Sequence, residues 1–283
     1  MPYVEAEGVT LFAESFGNPE DPMLLLISGL TGQMVAYPEA FCEAFVDRGF
    51  FVVRMDNRDV GFSTKFNDGP EYTLSDMAND CVAVIRHFGA DAAHVFGISM
   101  GGMVAQTVAI DHPDSVASLI SYASTTGNPD FGGATDEAIA ALLAPEPQNR
   151  EESVANSLAG KRVWGTPDSW DEEETARVFG ENWDRAQSPG VGGRQMNAVI
   201  ASGNREAALA ELDVPTLVIH GEIDPLITKS GGERTAEVIP GATYVEIEGM
   251  GQDIPITELP HIVSLVTTHA AAAASGVSAG ETH

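Results

Sequence analysis

The chain has 283 residues, enough for one large domain or one domain with an insertion, and shows no internal period that would mark a solenoid. Its 14 Lys+Arg against 42 Asp+Glu give a formal charge of −28, which argues against a nucleic-acid partner and against docking on an anionic membrane. The hydrophobic content of 43% is ordinary for a globular protein, so the acidity belongs to a solvated surface, and Cys42 and Cys81 alone are too few for a disulfide framework.

The first residues, "MPYVEAEGVTLFAESFG", lack the basic start and unbroken apolar run of a signal peptide, and no stretch approaches the length of a spanning helix, so the expected location is the cytoplasm. Tyr3 to Phe16 reads as two short strands meeting at Gly8, and "MLLLI" (23–27) as a strand buried on both faces. Phe41, Cys42, Phe45 and Val46 fall at helical spacing and stop at Gly49; "FFVVRM" (50–55) is the next strand. From Thr73 a further helix carries Leu74, Met77, Cys81, Ile85 and Phe88 on one face, which makes both cysteines core hydrophobes. "HVFGI" (94–98) is a strand, 100–111 a helix ended by Pro113, and "SVASLISYA" (115–123) a strand.

This alternation predicts an α/β fold, a mostly parallel central sheet flanked by helices. The rhythm breaks after about Thr125 and resumes with "PTLVIHG" (215–221), "ATYVEIEG" (242–249) and a closing helix near 256–269. The expected division is therefore a core over 1–124 and 213–269, an inserted helical cap over 125–212 and a frayed tail over 270–283. All three tryptophans, Trp164, Trp170 and Trp183, fall in the insertion, where they can build a small helical core, line a bulky apolar ligand site, or do both.

"GISMGG" (97–102) has the form of a nucleophile mount. A serine displayed at a sharp strand-to-helix turn has a strained backbone, and the residues two before and two after it must be small; Gly97 and Gly101 meet that demand around Ser99. Negative charge developing on an attacked carbonyl oxygen needs convergent N–H donors. One is expected from the amide of Met100 at the helix start, the other from the loop "SGLTGQ" after the third strand, where Leu30 can turn its amide inward.

With these pieces in place the sequence resembles the α/β-hydrolase superfamily, and within it the aclacinomycin methylesterase group, which acts on aromatic polyketides. The matching pieces are "LLLISGL", "MDNRDVGFST", "HVFGISMGG", "VIHGEIDPL" and "IEGMGQDIP", in the family's order. The resemblance implies a carboxylic ester hydrolase, with Asp224 of "GEIDP" as the acid that supports an imidazole and Glu222 as its near rival. It also implies that Asp56 and Arg58, in the loop "DNRDVGFS", are structural. No cofactor is expected, and the helical cap with its three tryptophans points to a bulky apolar small molecule as substrate.

The family's base lies in the loop after the final strand, and there this chain has Gln252. A carboxamide does not change protonation near neutral pH, so it can hold a hydrogen bond but cannot take a serine proton. His261 is the nearest histidine in sequence, in the closing helix; His220 ends a strand, and no histidine pair has metal-ligand spacing with a supporting carboxylate, so no metal is expected. No phosphate-binding glycine loop and no dinucleotide fingerprint is present either. Three readings stay open: an esterase whose base has been exchanged, by engineering or in nature; an enzyme reusing the pocket for a cyclisation, decarboxylation or lyase step; and a non-catalytic ligand binder. Met34, Met103 and Met250, with Trp164 and Trp183, are the candidate apolar walls, against the alternative that the methionines fill core gaps.

Overall fold

The computed structural model describes residues 2–66 and 71–276. An antiparallel hairpin of β1 (Tyr3–Ala6) and β2 (Val9–Phe16) leads into β3 (Met23–Ile27), α1 (Glu39–Val46), β4 (Phe51–Asp56), α2 (Leu74–His87), β5 (Ala93–Ile98), α3 (Met100–Asp111) and β6 (Val116–Tyr122). The insertion follows as α4 (Asp136–Leu142), α5 (Arg150–Trp164), α6 (Glu172–Arg185) and α7 (Val191–Ser202). The chain returns through α8 (Glu206–Leu209) to β7 (Thr216–Gly221), α9 (Ser230–Val238), β8 (Thr243–Ile247) and α10 (Leu259–Ala274).

The strands form one sheet in the order β1-β2-β4-β3-β5-β6-β7-β8, parallel from β4 onward. The expected mostly parallel sheet with helices on both faces is thus the observed one. Period-2 alternation divides its residues: Met23, Leu25 and Ile27 of β3 join the core under α2 and α3, while Leu24 and Leu26 face α1 and α10. Each fully buried leucine or isoleucine contributes about 1.5–3 kcal/mol relative to exposure. The helix α2 starts where the sequence puts it, because the Thr73 hydroxyl accepts from the Asp76 amide at 3.1 Å and the Asp76 carboxylate accepts from the Thr73 amide at 2.7 Å.

Two expectations are corrected. The closing helix runs to Ala274, so the segment expected to fray from Ala270 is helical for five residues more; alanine is the strongest helix former, and Ala270 is buried in the core. Residues 277–283 of that tail lie outside the described residues. The helix α9 was not anticipated: "SGGERTAEV" carries two glycines and no apolar stripe, yet it packs on β7. In addition, α8 packs on α3 and α9, with Leu209 in the same core cluster as the sheet.

The sheet order changes direction at β3, which has β4 on one side and β5 on the other. In such sheets ligands bind outside the carboxyl ends of the strands at the switch point. The loops after β3, β5, β6, β7 and β8 all leave from that edge, and the insertion grows from the β6 end.

Candidate active site

Ser99 sits between β5 and α3 with φ 56° and ψ −122°, a backbone conformation that a residue with a side chain adopts only under constraint. The constraint is local. Its amide donates to Tyr122 O at 2.9 Å, and its carbonyl accepts from the amide of Gly102 at 2.9 Å and the hydroxyl of Ser124 at 2.8 Å. The flanking glycines are required by contact: a Cβ on Gly97 would lie 2.0 Å from the carbonyl oxygen of Gly101, and one on Gly101 would lie 2.2 Å from that of Ile27.

The loop after β3 runs directly against the serine. A Cβ on Gly29 would come within 3.2 Å of Ser99 Cβ and 3.8 Å of its Oγ, which places the Leu30 amide next door. Among the described residues neither the Leu30 nor the Met100 amide donates to a protein acceptor, so both are free for an oxygen at the serine.

Asp224 follows β7 and is buried, with Oδ1 accepting from the amides of Leu226 and Ile227 at 2.9 Å each. Its Oδ2 has no hydrogen-bond partner, and His220 Nε2 lies 3.4 Å from it. That nitrogen is better placed on Ile227 O at 2.7 Å, which puts the proton on Nε2 and leaves Nδ1 as an unpaired lone pair. Glu222 is exposed and accepts from the amide of Gly249 at 3.0 Å.

Gln252 is buried in the loop after β8. Its Nε2 donates to Ala123 O at 3.0 Å, its backbone amide donates to Trp164 O at 2.7 Å, and its Oε1 has no partner. The strand end Tyr122–Ala123 therefore touches the Ser99 amide on one side and the Gln252 carboxamide on the other. Two buried acceptors, Asp224 Oδ2 and Gln252 Oε1, face no donor. The carboxamide of Gln252 gives its N–H to Ala123 O and none to either of these acceptors.

A family model for the alpha/beta hydrolase fold matches residues 22–259. The chain belongs to the α/β-hydrolase fold family. Among the curated relatives of this hydrolase are the rhodomycin D methylesterase of Streptomyces sp. strain C5, 29% identical and covering 95% of this chain and 98% of the relative, and that of Streptomyces peucetius, 29% identical with 94% and 96% covered. Among solved structures, the meta-cleavage product hydrolase of Pseudomonas fluorescens IP01 superposes with a TM-score of 0.77 at 19% identity, over 94% of this chain and 96% of that one. The protein is an ester-hydrolase-type α/β-hydrolase with methylesterase relatives.

The inserted helices are bolted to the core by basic residues that sequence reasoning missed, Arg185, Arg194 and Lys161, the two arginines acting on a loop whose Asp56 and Arg58 were expected to be structural. Arg185 of α6 pairs bidentately with the fully buried Asp56, with Nη2 at 2.8 Å from Oδ2, and Asp56 also accepts from the amides of Met34 and Phe62. Arg194 of α7 pairs with Asp59 at 2.6 and 2.9 Å. Arg58, in the same loop, is occupied inside the core by Asp80 at 2.6 and 2.8 Å. On the other flank, Lys161 of α5 pairs with Asp253, whose Oδ1 accepts from the Thr166 hydroxyl at 2.6 Å, and that hydroxyl in turn accepts from the Gly251 amide at 3.0 Å. The signal was scarcity: in a chain with 14 basic residues, each arginine near a Pro/Gly joint invites a search for its carboxylate.

The expected apolar walls divide. Met250 has 0% exposure, packs with Phe96 and Ile219 in the core, and its sulfur accepts from the Tyr122 hydroxyl at 3.0 Å; Met34 is 1% exposed. Both side chains are packed away from solvent, so they are corrected from substrate walls to core fillers. Met103 is 8% exposed and belongs to the core cluster under α2 and α3. The Trp164 ring folds onto its own helix over Gly160, where a Cβ would meet it at 2.4 Å, and Trp183 is half-buried on α6 beside the residues that hold the Gln33 side chain. His261 is exposed on α10 against Glu258 at 3.3 Å, turned to the carboxylate of the residue that caps its own helix. No helix among the described residues is long and apolar enough to cross a membrane.

Proposed function

We propose that this chain is a cytoplasmic carboxylic (methyl) ester hydrolase for a bulky apolar substrate, an aromatic polyketide ester in the first instance, whose hydrolytic step is impaired by Gln252. Ser99 is its nucleophile, Asp224 its acid, and the amides of Leu30 and Met100 its oxyanion donors. The observation that carries the reading is the backbone of Ser99 at φ 56°, held by Tyr122, Gly102 and Ser124, which a ligand-binding protein has no reason to maintain. The substrate class rests on the names of the two methylesterase relatives.

In the hydrolytic reaction Ser99 Oγ attacks the ester carbonyl and the oxyanion forms against the two amides. The ester C–O bond breaks with the serine proton passed to the methoxide so that methanol leaves, and water then attacks the acyl-enzyme to release the carboxylic acid and restore the serine. The serine proton needs an acceptor, and a carboxamide is none. Loss of the base from a serine triad lowers kcat by about 10⁶ in the subtilisin example. The test is Gln252→His assayed on a short-chain aryl ester: hydrolysis rises by about 10⁴ or more, whereas equal, absent turnover before and after rejects the reading.

A second reading draws on a separate observation. Gln252 is held at both its backbone amide and its side-chain N–H, by Trp164 O and Ala123 O. In that reading the oxyanion donors polarise a substrate carbonyl for a cyclisation, decarboxylation or lyase step without an acyl-enzyme. Product analysis with an aromatic polyketide then shows turnover that survives Ser99→Ala; loss of all conversion in that variant rejects it.

A further inference from the structure

Gly29 to Gly32 form a four-residue turn, closed by the Gly32 amide on the Gly29 carbonyl at 3.0 Å. The Gly29 carbonyl and the Leu30 N–H belong to one trans peptide plane and point in opposite directions, so engaging the oxygen fixes the aim of the amide. The third residue of the turn, Thr31, has φ 58°. A turn with positive φ there favours glycine or asparagine, and a β-branched threonine is among the least suited residues. Something must hold it.

The Thr31 amide donates to Gln195 Oε1 at 2.7 Å, across 164 residues of sequence, from the cap helix α7. Gln195 is fully buried, and Gly192, one turn earlier, lies close enough that a Cβ there would meet Thr31 Cγ2 at 3.6 Å. The Nε2 of Gln195 has no partner, so the carboxamide is sacrificing half of its hydrogen bonding to keep its oxygen on the Thr31 amide.

We propose that Gln195 is a positioning residue for the oxyanion donor: by accepting from Thr31 it holds the turn in its positive-φ form and so keeps the Leu30 amide aimed at the oxygen on Ser99. This rests on the reading of Ser99 given above. Without that acceptor the Leu30–Thr31 peptide relaxes out of the unfavourable form, and Leu30 loses its fixed direction. The cap thereby completes the oxyanion site as well as covering it.

The test avoids the missing base by using phenylboronic acid, followed by boron NMR on the full chain. The Ser99 oxygen bonds to boron, the boron becomes a tetrahedral anion with a hydroxyl in the oxyanion position, and the serine proton goes to buffer. Expected results are a tetrahedral adduct on the parent, none on Ser99→Ala, and affinity weakened about 10- to 100-fold by Gln195→Met. Gln195→Glu, which keeps an acceptor for Thr31, retains most of the affinity. Adding Thr31→Gly to Gln195→Met restores it, because glycine holds the positive φ unaided.

A folded Gln195→Met that binds as the parent does overturns the inference, and so does a double variant no better than the single. If Gln195→Met alone does not fold, the double variant decides: parent-like binding supports the inference and weak binding overturns it. A parent that forms no adduct, or one that Ser99→Ala also forms, overturns the reading of Ser99 itself and this inference with it.

Discussion

The side-chain amide of Gln252 donates to the carbonyl oxygen of Ala123 at 3.0 Å, while its own oxygen and the Oδ2 of Asp224 remain buried without donors. Asp224 has two backbone amides on one oxygen and no hydrogen-bond partner on the other. If Asp224 is there to support a base, its value appears only when a base is present. In the Gln252→His background, Asp224→Asn should therefore remove most of the restored hydrolysis, by about 10⁴ as when a triad aspartate becomes asparagine. In the parent background the same substitution should leave turnover of the aryl ester unchanged, and a comparison of kcat in the four proteins checks it.

The elbow stores strain. Ser99→Gly removes both the hydroxyl and the cost of φ 56°, so the variant should be more stable than the parent by about 1 kcal/mol or more. Thermal unfolding of parent and variant measures it; a lower Tm in the glycine variant contradicts the strain. Gly97→Ala acts in the opposite direction, because its methyl would sit 2.0 Å from the carbonyl oxygen of Gly101. The contact is with backbone, which cannot step aside, and we expect a loss of about 3 kcal/mol or failure to fold, read as a urea midpoint.

Arg185 neutralises Asp56, which has no exposure to solvent. Arg185→Met should cost about 3 kcal/mol, since it leaves a buried carboxylate with amide donors and only the nearby Lys65 as countercharge. Adding Asp56→Asn should recover part of that loss. By contrast Arg177, paired with Glu174 and Glu181 on the exposed face of α6, should be replaceable by alanine with no measurable shift. Urea midpoints for these variants separate the buried pair from the surface one.

His94 is buried, its Nδ1 at 2.8 Å from the Ser118 hydroxyl, and burial, with the nearby His269, pushes its pKa from 6.5 down to about 4. The unfolded chain therefore takes the proton first as pH falls. The stability His94 contributes is complete above pH 6.5 and is lost as pH falls from there toward 4. Urea midpoints measured at pH 7 and at pH 4.5 should differ less in His94→Asn than in the parent, and equal differences would remove His94 from the account.

Most of the core was legible because its signals are local. "MLLLI" gave β3 residue for residue, and the spacing from Met100 to Asp111 gave α3. The elbow was legible for the same reason, since steric demand falls on residues two positions away. The helix α9 was not, because its burial is supplied by β7 and not by a stripe of its own. Nor were the contacts that complete the site: Arg185 meets Asp56 across 129 residues and Gln195 meets Thr31 across 164, and no periodicity links them. Met250 misled because a methionine beside a motif loop looks the same in sequence whether it faces a ligand or Tyr122.

The bolts on the two sides of the cap bear on how the molecule comes apart. Arg185 and Arg194 tie the insertion to the end of β4 and the loop after it, and Lys161 ties it to the loop after β8, so melting either layer breaks the pairs that hold buried carboxylates. All three tryptophans lie in the insertion, whereas the strands lie in the sheet. Tryptophan fluorescence, which reports on the insertion alone, and far-ultraviolet circular dichroism, which reports on the whole backbone, should accordingly trace a single denaturation curve.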